Sequence, residues 1–461
     1  MMSIAPFPSL SLSPVAARRR ERDGDCPPVA PRRANAGSLL PVVGQELRVP
    51  LVGGGEARYA NLDYGATAPA LASVAERVTR VLPYYGSVHR GSGLPARVST
   101  ALYEQAREAV ARFLGARADD EVIFTRNTTD ALNLLAGAVP EGAGDVLFLD
   151  SEHHANLLPW RRRAHRAIAV APTLELTLGR LRDALAAGPV ALVAITGASN
   201  VTGELLPLER IVALAHGAGA RVVADAAQLA PHVRVDLEAL GADYLALSGH
   251  KLYAPYGAGA LVGRRDWLDA AAPHLAGGGA VREVTWEGTA WHDGPARHEA
   301  GTPNLLGAVA IAEACTTLGA LPAGALEAHD HSLRELLLAR LERLGAVRVA
   351  RIWSDSAAAI GTVAFAVDGY APAHVGAYLS AEHGVGVRDG RFCAHQLLDR
   401  LGLPGGALRA SFGVGTSADD VERLAEAVER LVREGARRDY APGPDGWAPV
   451  GDDRPLPDLL G

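Results

Sequence analysis

Of the 45 lysine and arginine residues in the chain, a single one, Lys251, is lysine. It stands in the stretch LALSGHKLY, after an apolar run and the turn-forming Ser248, Gly249 and His250. A coding bias toward arginine accounts for the scarcity of lysine but not for this location. Guanidinium stays protonated in proteins, so arginine cannot replace lysine where a nucleophilic, deprotonatable amine is needed. An amine that condenses with a carbonyl cofactor has that requirement.

Pyridoxal phosphate is such a cofactor, and each further group it needs has a candidate. Its pyridine nitrogen requires a carboxylate partner. RVVADAAQLAP ends an apolar run with Asp225, three residues before Gln228, which can bond the phenolic oxygen of the ring. An Asp at a strand end is also an ordinary helix cap. The phosphate requires hydroxyls and backbone N–H groups at a helix N-terminus. FTRNTTDALNLLA offers Thr128 and Thr129 at such a place, where capping again competes as the explanation, and Ser248 and His250 can add donors. LDSEHHANLLPW places His153 and His154 past another apolar run. Neighbouring residues on extended backbone face opposite sides, which makes joint chelation of a metal awkward. One histidine stacked on a flat cofactor, or a satisfied loop histidine, remains, and no metal site is expected.

These residues need a scaffold that gathers strand ends. Short apolar runs at 121–125, 145–149, 190–196, 221–224, 244–247 and 259–262 alternate with helical patterns such as 102–114 and 208–216. The alternation predicts an α/β fold with a largely parallel sheet covered by helices, whose ligands sit at the C-terminal strand ends. Beyond about residue 305 the pattern changes to a helix-rich stretch to about 344, strands near 347–352 and 362–367, and a last amphipathic helix. There Val421, Leu424, Ala425, Val428, Leu431 and Val432 keep one face. The predicted organisation is a tail at 1–45, a large domain at 46–305 whose first residues pack on the small domain, a small α+β domain at 306–440, and a tail at 441–461.

Composition bounds the rest. The chain has 461 residues, 48% of them hydrophobic and 21% charged, which suits a globular protein of two domains. The net charge is -7 and no basic block exceeds 18–20, so nucleic acid is not suggested as a partner. No apolar stretch approaches the length of a membrane helix, and the N-terminal arginines follow the apolar stretch, the reverse of a secretory signal. Cys26, Cys315 and Cys393 lie far apart, without disulfide or metal spacing. A reducing cytoplasm is the expected location.

The motifs SGHKLYAPYGAGAL, SNVTGELLPL, EHHANLLPW, VHRGSG, EAGTPN, RDGRFCA and RASFGVGTSADDVERL occur together and in order. In this the chain resembles the class V aminotransferase-like cysteine desulfurases, particularly the SufS type that also acts as selenocysteine lyase, from about 61 to 431. The resemblance implies fold type I of the pyridoxal phosphate enzymes, with a seven-stranded-type sheet and a smaller C-terminal domain. It implies that Lys251 carries the cofactor, Asp225 partners the pyridine nitrogen, Gln228 the phenolic oxygen, and His153 stacks on the ring. It places Thr129, with Thr128, Ser248 and His250, at the phosphate, and Thr302 at the phosphate of a neighbouring subunit of a homodimer. Asn200 would lie beside the cofactor, Arg409 would hold the substrate carboxylate, and His89 and Arg388 would belong to the substrate side.

The same resemblance makes Cys393 the residue that decides the reaction. In the resembled enzymes a cysteine in an R-T-G-x-x-C-A segment takes the substrate sulfur as a persulfide and leaves alanine. Here the segment runs Arg388, Asp389, Gly390, Arg391, Phe392, Cys393, Ala394, with the spacing kept and Arg391-Phe392 in place of two histidines. Arg391 favours a thiolate and Asp389 opposes it; a half-buried loop cysteine is the plain alternative. Asn127-Thr128-Thr129 and Asp225-Ala226-Ala227-Gln228 also depart from the family's GTT and DGAQ, compatibly with the cofactor. The expected enzyme takes sulfur or selenium from cysteine or selenocysteine and passes it to an acceptor protein. The rivals are a lyase, epimerase or aminotransferase of the same family on another amino acid, with Cys393 a bystander, and a cofactor-retaining scaffold without activity.

Overall fold

A computed structural model of the chain describes residues 37–457, apart from 445, together with 459. Labels below number only the strands of the two main sheets and the helices that frame the site. The large sheet comprises β1 (Asp120–Thr125), β2 (Asp145–Leu149), β3 (His165–Ile168), β4 (Val190–Thr196), β5 (Arg221–Asp225), β6 (Tyr244–Ser248) and β7 (Gly259–Arg264). Their spatial order is β1-β7-β6-β5-β4-β2-β3. Strands β6 to β3 along that order run parallel, and β7 is antiparallel to both β6 and β1. Helices on both faces explain the continuous apolar runs: six of the seven residues of β4 are buried.

Strand β3 escapes the sequence reading because it is a sheet edge, with one buried residue among four, so it carries no apolar run. Helix α1 (Leu94–Phe113) begins eight residues before its expected start, with Pro95 in its first turn and no side-chain cap. Helices α2 (Thr128–Ala138), α3 (Leu174–Ala186) and α4 (Leu208–Gly217) carry side-chain or first-turn signals that the sequence shows more plainly. Helix α5 (Leu305–Gly319), which the expected boundary at 305 gives to the small domain, packs instead on α1 in the large core. Its Ile311, Ala314, Cys315 and Leu318 are buried there, because the helix is apolar around most of its surface.

The second sheet comprises β8 (Val347–Val349), β9 (Thr362–Val367), β10 (Arg388–Gly390) and β11 (Ala407–Ser411), in the order β8-β9-β11-β10. Helices α6 (Ala325–Leu341), α7 (Pro372–His383) and α8 (Ala418–Glu434) enclose a separate core with it. Helix α8 starts with a reciprocal Ser417–Asp420 capping box and buries Val421, Leu424, Ala425, Val428 and Leu431. Ala60 and Leu62 join this core, and 60–61 pairs in parallel with 385–386.

Both expected tails need correction. Residues 1–36, and Cys26 with them, lie outside the described residues; 37–45 is bound to the core, with Leu39 and Leu40 N–H donating to the Val414 carbonyl and Val42 buried. At the other end Tyr440–Gly443 and Gly446–Pro449 pair as an antiparallel hairpin against α7. Its Trp447 ring stacks on His374 at 4.7 Å, a long-range contact that a Pro- and Gly-rich sequence does not announce. Among the described residues no helix is long and apolar enough to cross a membrane, and no cluster of His, Cys, Asp and Glu is arranged to hold a metal.

Candidate active site

The C-terminal ends of β2, β4, β5 and β6, the start of α2 and the β10 loop enclose a cavity of about 390 Å³. Lys251 lines it from the turn after β6. Gly249 in that turn has no room for a side chain: a Cβ would meet the Ala258 carbonyl oxygen at 2.7 Å. Desolvation pulls the Lys251 ammonium down to about 8, with Asp225 opposing and Arg409 adding to the shift. An amine in that range is partly neutral near physiological pH.

Asp225 ends β5 and is buried, its Oδ1 accepting the Ala227 N–H at 2.9 Å. Burial raises its carboxyl, against that hydrogen bond and the Lys251 charge. Gln228 is buried one turn on, and its Nε2 donates to the Gly65 carbonyl at 2.7 Å. His153 accepts the Ala155 N–H on Nδ1 at 3.0 Å, which puts any proton on Nε2. Burial, then Lys251, takes its imidazole down to about 3, so the ring is neutral.

Thr128 and Thr129 open α2, capped by Asn127, whose side-chain oxygen accepts the Asp130 N–H at 3.0 Å. Ser248 Oγ meets both the N–H and the hydroxyl of Thr128 at 2.8 Å. Thr129 has an exposed side chain at the cavity. His250 also lines it, with its imidazole lowered by burial and Lys251.

From the second sheet come Arg388 and Arg409, directly opposite in the β10–β11 register, so both side chains leave one face toward the cavity. Arg409 is buried; its Nη1 donates to the Asn200 carbonyl at 2.9 Å and its Nη2 to Asp63 Oδ1 at 3.0 Å. Its Nε is buried without a partner. Asn200 in turn donates its Nδ2 to the Phe392 carbonyl at 2.8 Å. Cys393 follows, exposed and lining the cavity. Its ionised sulfur would raise both Lys251 and Arg409, which places it within electrostatic reach of each.

Twelve of the fourteen residues singled out in the sequence thus line one cavity. His89 and Thr302 do not. His89 lies in a separate cavity of about 700 Å³, its Nε2 paired with Glu104 at 2.9 Å. Thr302 lines another, beside Asp130, His274 and His298. Within one chain neither lines the Lys251 cavity.

Sequence reasoning missed Asp63, Gly65 and Glu152, and noted Phe392 only as a departure from two histidines. At Gly65 a Cβ would meet Ser411 Oγ at 3.0 Å and Arg409 Cζ at 3.2 Å, a crowding that no local pattern reveals. Glu152, adjacent to His153, accepts the Thr196 N–H at 3.1 Å and the Asn156 amide at 2.7 Å beneath the site. Burial, with Asp225 adding, pushes its carboxyl up to about 8. The quoted EHH motif contains it, and its burial is what marks it.

The model of the family Aminotransferase class-V matches residues 60–424. The cysteine desulfurase of Dickeya dadantii is 35% identical over 81% of this chain and 92% of its own length. That of Klebsiella pneumoniae is 37% identical over 75% of this chain and 86% of its length. Among solved structures, the Escherichia coli cysteine desulfurase CsdA is similar with a TM-score of 0.71 at 34% identity, covering 81% of this chain and 94% of its own. The Thermococcus onnurineus cysteine desulfurase is similar with a TM-score of 0.74 at 33% identity, covering 81% and 95%.

Proposed function

The chain belongs to the class V aminotransferase family, within its cysteine desulfurases, and from that premise we propose that it takes sulfur or selenium from L-cysteine or selenocysteine, leaving alanine, with pyridoxal 5'-phosphate as cofactor. The observation that carries this reading is the convergence of Lys251, Cys393 and Arg409 on one cavity from distant parts of the chain.

The residues present fit a phosphorylated pyridine aldehyde. Lys251 offers a desolvated amine, and Asp225 a buried carboxyl for the pyridine nitrogen. The Ser248, Thr128 and Thr129 hydroxyls at the start of an eleven-residue helix suit the phosphate. Gln228 suits the phenolic oxygen, His153 the ring face, and Asn200 and His250 the flanks. When bound, the cofactor supplies an electron sink that eases loss of the amino acid's α-proton.

The chain's own groups then have distinct tasks. Lys251, partly neutral, accepts the α-proton as general base. Arg409, its Nε unpaired, receives the substrate carboxylate, with Arg388 beside it. The Cys393 thiolate forms a sulfur–sulfur bond as the substrate carbon–sulfur bond breaks; the carbon keeps the electron pair and is protonated to alanine. A homodimer would bring Thr302 to the neighbour's phosphate and His89 toward the neighbour's substrate. The persulfide would pass to a sulfur-acceptor protein in the cytoplasm.

The test is L-cysteine turnover by the native chain and by Cys393→Ala. Alanine together with sulfur bound at Cys393, both lost in the variant, is the expected result. Pyruvate as the product would show β-elimination instead, and undiminished alanine from Cys393→Ala would remove the persulfide step.

A further inference from the structure

Two consecutive non-glycine residues, Phe392 and Cys393, adopt left-handed backbone, at φ 50° and 52°. Such a conformation is disfavoured for bulky side chains and persists where the surroundings over-determine it. Both peptide carbonyls are held from the other sheet's side of the cavity. The Phe392 oxygen accepts from Asn200 Nδ2 at 2.8 Å, and the Cys393 oxygen accepts from the His154 N–H at 2.9 Å. The Phe392 side chain is 8% exposed, lines the cavity and lies under the Arg409 guanidinium, 5.3 Å from Cζ to ring centroid.

Arg409 is therefore held on three sides: Nη1 by Asn200, Nη2 by Asp63, and one face by the Phe392 ring, with Nε left without a partner. We infer that Phe392 is a positioning residue that joins the carboxylate-binding arm to the nucleophile loop: its ring sets the plane of the Arg409 guanidinium, and its left-handed backbone turns Cys393 toward the same cavity. The inference rests on the reading of Arg409 as the substrate-carboxylate group. A cation held against an aromatic face presents its remaining donor, here the Arg409 Nε–H, in one fixed direction to a carboxylate. An aliphatic residue of similar volume fills the space but removes one of the three holds, so the guanidinium can rock about its Asn200 and Asp63 hydrogen bonds.

The experiment alkylates Cys393 of the full chain with iodoacetate and with iodoacetamide, following the Cys393 peptide by mass spectrometry. The rate ratio of the anionic to the neutral reagent reads the charge that Arg409 presents to the cavity. Phe392→Leu and Phe392→Met should lower this ratio about fivefold, while Phe392→Tyr, which keeps the ring, stays within about twofold of the native value. In the cofactor-loaded enzyme the Leu variant should raise KM for L-cysteine by the same factor with little change in kcat. Arg409→Gln is the control for the premise. If it lowers the ratio and both aliphatic variants retain the native value, Phe392 does not position Arg409. If Arg409→Gln itself leaves the ratio unchanged, the carboxylate reading falls and takes the inference with it.

Discussion

Ser248 Oγ lies 2.8 Å from both the N–H and the hydroxyl of Thr128, joining the end of β6 to the first turn of α2 across 120 residues of sequence. The lysine turn and the proposed phosphate site are thus one structure. Ser248→Ala removes a hydroxyl and leaves the Thr128 N–H without this partner. A hydrogen bond from the Ser248 hydroxyl to the charged phosphate would be charge-assisted and worth about 1.5–3 kcal/mol, so its loss should lower cofactor affinity at least about tenfold. Fluorescence titration of the apoprotein with pyridoxal phosphate measures it.

Lys251 has its ammonium lowered to about 8 from an ordinary 10.5. Folding of the cofactor-free chain therefore releases a proton between these pH values, since the unfolded lysine still holds one. Below pH 8 the cost of a buried ammonium is fully present; it is relieved as pH rises toward 10.5. Lys251→Met should accordingly be more stable than the native apoprotein by on the order of 3 kcal/mol below pH 8, with the gap closing toward pH 10.5. Urea unfolding of both proteins across this range checks the sign; a gap that widens with pH contradicts it.

The absence of any other lysine gives a clean chemical readout. Borohydride reduction of the cofactor-loaded protein should leave one pyridoxyl group, on the peptide containing Lys251. Lys251→Arg should carry none. Intact-mass and peptide mass spectrometry decide the outcome.

The C-terminal hairpin should contribute to stability. Trp447 and His374 are stacked with ring planes 2° apart, and the Tyr440 hydroxyl donates to Glu382 Oε1 at 3.2 Å. Trp447→Ala should cost about 1–3 kcal/mol, and deletion of 440–461 more, as read by urea unfolding. No loss on deletion would return this segment to the status of a tail.

How much was legible follows from how local each signal is. Lys251, Asp225, Thr128 and Ser248 sit where apolar runs end or a helix starts, so periodicity places them at strand ends before any contact is known. The edge strand β3 lacks an apolar run, and α1 starts without a side-chain cap, so both escape the periodicity although Pro95 is itself a residue that favours a helix start. The boundary at 305 failed because α5 is apolar on most faces, which says that it is buried but not in which core.

By itself the sequence determined where the groups proposed to hold the cofactor stand: a lone amine, a carboxyl and a row of hydroxyls, each fixed near a strand end by short-range geometry. Tertiary structure decided which groups meet at the proposed substrate side. Arg409 reaches Asp63 and Asn200, and Phe392 reaches Asn200, through pairings about 200 to 350 residues apart that leave no period in the chain, and these bring Phe392 under Arg409. Only the fold shows His89 and Thr302 outside the cavity of their own chain. Side-chain convergence depends on how two sheets are docked, and that docking comes from burial of whole surfaces rather than from the spacing of any motif.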